Sequence, residues 1–195
     1  AAASVAAVLA LLQRRKMSPS GLLAIAHPRT TVTGSSITLQ QSKPGWASQW
    51  AKAVGQERDH VQQGSTDEPA SAGVERARQK RWDTGSAFHF TVFDRHSRPP
   101  NTAIGQAELH SVDHSRSTCE IGVELLRSGR GRGVATECVQ LLERQACVRL
   151  GLKTVEIRCV EANLASQRLA ITCGFTETGR AANGSVLIYA KDTVQ

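Results

Sequence analysis

Aromatic residues are scarce in this 195-residue chain: Phe, Trp and Tyr together make 4% of it, with a single Tyr. Its core must come from Ala, Val, Leu and Ile, which suits an α/β arrangement rather than an aromatic-rich β-sandwich. Acid is missing before Glu57, while Arg14, Arg15, Lys16, Arg29, Lys43 and Lys52 precede it. Those six residues carry most of the net +7, so the rest of the chain is close to neutral. A broad basic surface for nucleic acid is thereby disfavoured. The five cysteines include no CxxC pair and are odd in number. That argues against a disulfide framework or a zinc site and for reduced, buried thiols in an intracellular protein. No apolar run is long enough for a bilayer; the longest, Ala1 to Leu12, falls short of the roughly 20 residues needed.

Arg14-Arg15-Lys16 follows that apolar run, whereas a secretory signal has its charge in front. The segment to about Ser36 is basic, contains Ser and Thr and lacks acid, as organelle transit peptides do. A disordered tail, or translation upstream of a start at Met17, fits the same residues. Residues 1–34 are set aside as an N-terminal extension, and residues 35–195 are taken as one domain. The location expected is cytoplasmic, with organelle targeting through residues 1–34 as the alternative.

Ser36 to Gln40 alternates and is rich in β-branched residues, which predicts a strand. Pro44 suits a first helical turn, and Trp46, Trp50 and Val54 recur on one helical face up to Gly55. A charged helix is expected from Asp67 to Trp82. Ala87–Phe93, Ala103–Leu109 and Cys119–Leu126 read as an antiparallel meander. Gly133 to Leu150 carries Val134, Cys138, Leu141, Leu142 and Ala146 at helical spacing, closed by Gly151. Thr154–Val160 is a strand, and Asn163 to Cys173 a helix with Asn163 at its cap. Strands at Phe175–Gly179 and Ser185–Lys191 flank the hairpin signal Asn183-Gly184. A meander feeding a strand–helix–strand unit makes a mixed, mostly antiparallel α/β sheet with flanking helices.

The glycines before the long helix carry chemistry. A P-loop is excluded because no Lys follows them. A dinucleotide fingerprint is excluded because Thr136 or Val134 stands where the third Gly or Ala belongs. What remains is Arg130-x-x-Gly133-x-Ala135 between a strand and a helix. Such a loop aims successive backbone N–H groups outward at the positive end of the helix dipole, where a diphosphate binds. Gly131 and Gly133 permit close approach, and Arg130 and Arg132 add charge.

Ile121 to Leu126 followed by Arg130 to Glu137 resembles the acetyl-CoA motif of the GNAT superfamily of N-acetyltransferases. Asn163-x-x-Ser166, Leu169-Ala170 and Cys173-Gly174-Phe175 resemble the ribosomal-protein N-acetyltransferase branch. The likeness spans about residues 36–191. It implies a sheet that splays after its central strand, with acetyl-CoA in the gap. The backbone of Val123 to Leu125 would hold the pantetheine, and Arg130, Gly131, Arg132, Gly133, Val134, Ala135 and Thr136 the pyrophosphate. Asn163 would contact the pantetheine arm. Many members carry a Tyr seven residues after that Asn, to protonate the thiolate; here that position is Ala170. In the ribosomal-protein branch a Ser at the position of Ser166 is assigned that role.

Direct transfer to an amine is expected, with a backbone N–H of the Val123–Leu125 strand at the oxyanion. Glu120 and Glu108 are candidate bases; solvent-facing strand positions are the plain alternative for each. An α-amine near pKa 7.7–8.0 is appreciably neutral at physiological pH, whereas Lys is neutral to roughly one part in a thousand. A site without an obvious strong base therefore suits a peptide N-terminus, without excluding small amines. Trp46, Trp50 and Trp82 are candidates to line the acceptor site, though Trp46 and Trp50 at helical spacing also suit a core. A GNAT-fold acyl-CoA-binding module without turnover is the alternative, and RNA association through the basic N-terminus a third reading. No metal is expected, and the chain is expected to be a monomer or homodimer.

Overall fold

The computed structural model describes residues 26–43, 45, 50, 72–99, 102–182 and 184–193. The helix expected from Pro44 to Gly55 and the turn residue Asn183 lie mostly outside them. In chain order the elements are β1 (Thr31–Thr33), β2 (Ile37–Gln41), α1 (Ala72–Asp83), β3 (Phe88–Asp94), β4 (Thr102–Asp113), β5 (Thr118–Leu125), α2 (Val134–Leu150), β6 (Thr154–Val160), α3 (Leu164–Thr172), β7 (Thr176–Ala181) and β8 (Val186–Asp192). A 3-10 turn, Arg127–Gly129, joins β5 towards α2.

The strands form one eight-stranded sheet ordered β1-β2-β3-β4-β5-β6-β8-β7. Every described pairing is antiparallel except β5 with β6. That exception follows from connectivity, since a strand–helix–strand crossover returns the chain in the same direction. The mixed, mostly antiparallel sheet expected from the sequence is the one observed.

One strand was not expected. Thr31-Val32-Thr33, inside the segment set aside as an extension, pairs with β2 and buries Val32. The tight turn Gly34–Ser36 joins the two, with Gly34 N–H donating to Ile37 O at 2.9 Å. Glu137, in the first turn of α2, accepts hydrogen bonds from the Ser36 N–H and from both the Ser35 and Ser36 hydroxyls. Arg95 donates to the carbonyls of Gly34 and Ser35. The folded body thus starts before Ser36.

One sheet face is apolar. Ile37, Leu39, Phe88, Phe90, Val92, Leu109 and Cys119 are fully buried there with Cys138, Val139, Leu142 and Ala146 of α2. Trp82 of α1 packs edge-on against Phe88 and Phe90 at 5.2 and 5.4 Å. α2 ends at Gly151 in the left-handed conformation, φ 67°, as its sequence indicates. All five cysteines are free thiols.

Candidate active site

The site begins where β5 and β6 part. Their parallel pairing holds only at Thr118↔Thr154, Cys119↔Val155 and Glu120↔Glu156. β5 then continues to Leu125 against β4, and β6 to Val160 against β8, with no pairing between them. Leu126 N–H donates to Ile104 O on β4, and backbone groups alternate sides along a strand. Val123 and Leu125 therefore direct their N–H and C=O groups away from β4, towards the gap. The Leu125 carbonyl accordingly accepts from Arg130 Nε at 2.9 Å.

The loop after β5 closes one end of the gap. Gly131 and Gly133 have φ of 71° and 78°, which favours glycine. A β-carbon built at either meets nothing within 4 Å, so both border open space. Gly133 is the N-cap of α2 and contributes no side-chain cap. The first intrahelical bond runs from Glu137 N–H to Gly133 O, so the N–H groups of Val134, Ala135 and Thr136 lack intrahelical partners. Three donors at a helix start, beside space no side chain fills, suit a diphosphate. The two arginines bond to the protein: Arg130 to Leu125 O, and Arg132 to the buried Asp94 at 2.9 Å. A backbone N–H from His96 is the largest influence holding the Asp94 carboxyl below its ordinary range, with Arg132 assisting.

α2 and α3 begin after the C-terminal ends of β5 and β6, the two strands that part. Asn163 caps α3, its Oδ1 accepting from Ser166 N–H at 3.1 Å. Thr136 at the start of α2 hydrogen-bonds the Cys173 thiol at the end of α3. Lys191 of β8 reaches Glu143 of α2 at 2.8 Å and the Cys173 carbonyl at 3.1 Å. Ala170 is fully buried.

The two candidate bases lie on the polar face of the sheet. Glu120 sits at the last paired position of β5, opposite Glu156, with Arg158 Nε 3.6 Å away. Glu108 stands across from Gly122, where a β-carbon would come within 3.0 Å of its Cγ and Oε1. On its other side His89 Nδ1 lies at 2.8 Å, and His110 Nε2 lies at 3.9 Å. Burial pushes the Glu108 carboxyl up, but the His89 hydrogen bond and the charges of His89, His110 and Arg78 outweigh it and hold the group below its ordinary range.

Sequence reasoning missed His89 and Gly122, which a register across three strands brings beside Glu108. It also missed Glu137, whose only local signal is an acid in a first helical turn. Of the three tryptophans considered, Trp82 is buried and borders an open cleft with His89; Trp46 is not among the described residues. No group of three or more potential metal ligands occurs among the described residues, and no described helix is long and apolar enough to cross a membrane.

The family model described as acetyltransferase (GNAT) domain matches residues 38–176. No curated protein matches the chain by sequence. Among solved structures, a ribosomal L7/L12 α-N-protein acetyltransferase in complex with coenzyme A superposes with a TM-score of 0.70 at 20% identity, covering 83% of this chain and 97% of that one. The ribosomal-protein-S5-alanine acetyltransferase from Vibrio fischeri gives 0.70 at 16% identity, covering 85% and 97%. A dodecameric spermidine N-acetyltransferase from Vibrio cholerae gives 0.64 at 19% identity, covering 82% and 95%.

Proposed function

The chain belongs to the GNAT acetyltransferase domain family and is an acetyl-CoA-dependent N-acetyltransferase, and we propose that its acceptor is the α-amine of a peptide or protein N-terminus. The observation that carries the acetyl-CoA side of this reading is the parting of β5 and β6 after Glu120 and Glu156, with the uncapped start of α2 at Gly133. Acetyl-CoA supplies a thioester whose acetyl group passes to the amine. In this proposal the N–H groups of Val134, Ala135 and Thr136 hold the pyrophosphate, with Gly131 and Gly133 leaving the space. The gap-facing backbone of Val123 and Leu125 holds the pantetheine and polarises the carbonyl. Asn163 lies along the pantetheine arm.

Ser166, in the first turn of α3, is the acid for the departing thiolate. Glu120 and Glu108 flank the closed end of the gap and take up the proton of the amine, directly or through water. An α-amine needs little help to be neutral at physiological pH, which matches bases held as carboxylates rather than a strong base. Ser166→Ala is expected to lower kcat about 10²- to 10⁴-fold without changing the Kd for acetyl-CoA. Thiol release from acetyl-CoA, measured with N-terminal peptides and polyamines side by side, tests the activity and the acceptor class together.

A binding module without turnover is the second reading, favoured by the buried Ala170 where many relatives carry a Tyr acid. It predicts acetyl-CoA binding with no thiol release across the panel, in wild type and Ser166→Ala alike. A basic N-terminal segment that associates with RNA predicts salt-sensitive binding lost on deleting residues 1–34.

A further inference from the structure

A small open cleft lies where β2 ends, bordered by Gln41, Ser42, Lys43, Glu75, Arg78 and His89 among others. Its charge is uneven. Lys43 and Arg78 line it with one acid, Glu75, which accepts from Gly45 N–H at 2.5 Å, and the charge of Arg78 also reaches Glu108 behind His89. No described residue forms an ion pair with Lys43 or Arg78. His89, which borders the cleft, carries an unmet polar atom: its Nε2 is buried and has no hydrogen-bond partner among the described residues. His89 Nδ1 must carry a proton, because the carboxylate of Glu108 at 2.8 Å can only accept. A buried ring nitrogen without a partner costs roughly as much as a lost hydrogen bond, so a ligand group is its natural complement.

The cleft connects to the reaction gap by an unbroken row. His89 pairs with Glu108, and Glu108 with Gly122, across β3, β4 and β5. Gly122 has no side chain to stand between Glu108 and the gap-facing backbone of Val123. Two strand spacings put His89 about 10 Å from Gly122. An extended peptide covers that distance in about three residues.

We propose that this cleft is the subsite for an acidic side chain at the third or fourth position of a peptide acceptor, with Arg78, Lys43 and His89 as its partners. The proposal rests on the acetyl-transfer reading and narrows it: a carboxylate is attracted, whereas a polyamine meets two cations. The charged groups around His89 are Glu108 and His110 on β4, Arg78 and Glu75 on α1, and Lys43 after β2.

The test uses the full chain and C-terminally amidated peptides, so that the carboxylate probed is a side chain. The probes are Ala-Ala-Ala-Ala-Ala, the same peptide with Asp or Lys at position three or four, and spermidine. With acetyl-CoA, kcat/KM for the better Asp peptide should exceed that for its Lys counterpart at least about tenfold, and spermidine should be the poorest substrate. Arg78→Glu should reverse the Asp-over-Lys order, with the Kd for acetyl-CoA unchanged. His89→Asn keeps an N–H donor for Glu108 but removes Nε2, and should lower the Asp preference. Equal use of Asp and Lys peptides, or an order that Arg78→Glu leaves intact, overturns the proposal.

A second measurement is independent of turnover. His89 side-chain resonances, followed by NMR without acetyl-CoA, should shift on adding the Asp peptide and not the Lys peptide. If acetyl-CoA neither binds nor is consumed while these shifts occur, the acetyl-transfer reading fails and the cleft stands. If acetyl-CoA is consumed and the shifts are absent, the cleft assignment fails alone.

Discussion

Replacing Gly133 by Val separates the loop's structural task from its binding task. Gly133 has φ 78°, in the left-handed region, and caps α2. A β-carbon there meets no protein atom within 4 Å, so the main cost to folding is the backbone conformation. That cost is about 1–2 kcal/mol. For a chain of this size it lowers Tm by roughly 2–8 °C, leaving a folded protein. Binding should suffer far more, because in the proposed cradle the diphosphate approaches the N–H groups of Val134, Ala135 and Thr136 through that open space. Each hydrogen bond to a charged acceptor is worth about 1.5–3 kcal/mol. Losing one weakens the Kd for acetyl-CoA about 10- to 150-fold. Gly133→Asn is the control, since Asn tolerates the left-handed region but still fills the space. Its Tm should recover while its binding stays weak. Calorimetric titration with acetyl-CoA and a thermal melt on both variants provide the readings. A Gly133→Val protein with lowered Tm and wild-type affinity would refute the cradle.

The other predictions concern groups that the site rests on. Burial pushes the Cys119 and Cys138 thiols up to about 12, so both should resist iodoacetamide near pH 8 in native protein and react on unfolding, while the half-buried Cys147 reacts first; rapid native modification of Cys119 would contradict this. Glu108 is held below its ordinary 4.5, so its stabilisation is complete above that pH and is lost as pH falls through the lower folded value. Glu108→Gln should accordingly melt below wild type near neutral pH, with the gap closing under acid; a gap independent of pH would show that the His89 pairing adds nothing. Glu137→Ala strips the Gly34–Ser36 turn of its carboxylate partner and should cost about 1–3 kcal/mol by urea unfolding. A smaller loss in Glu137→Gln, which keeps an acceptor oxygen, would assign the effect to those hydrogen bonds.

Much of the architecture was legible because its signals are local. Val134, Cys138, Leu142 and Ala146 repeat at helical spacing, and the helix they predict buries those residues. Thr154–Val160 matches residue for residue, because β-branched residues fill it and polar turns bound it. Strand β1 escaped for an instructive reason. Thr31-Val32-Thr33 has the composition of a strand, but three residues cannot stand alone in a periodicity reading. What fixes them is remote: β2 on one side, and the carboxylate of Glu137 and the guanidinium of Arg95 at the turn.

The two halves of the site differed in the same way. The donor side is a continuous stretch, because binding a diphosphate on backbone N–H groups needs glycine in the left-handed region and a helix start, both written in neighbouring residues. Arg130 and Arg132 carry a second task which that reading did not show: one bonds to the Leu125 carbonyl and the other to Asp94, bracing the loop between β5 and β3. The proposed acceptor side is assembled from residues that share a sheet level rather than a segment. His89, Glu108 and Gly122 carry no common motif; each reads alone as an ordinary strand residue. Only the register aligns them, and the glycine matters through the side chain it lacks. A family's shared donor can therefore be read along the chain, while what distinguishes its members' acceptors must be read across the strands.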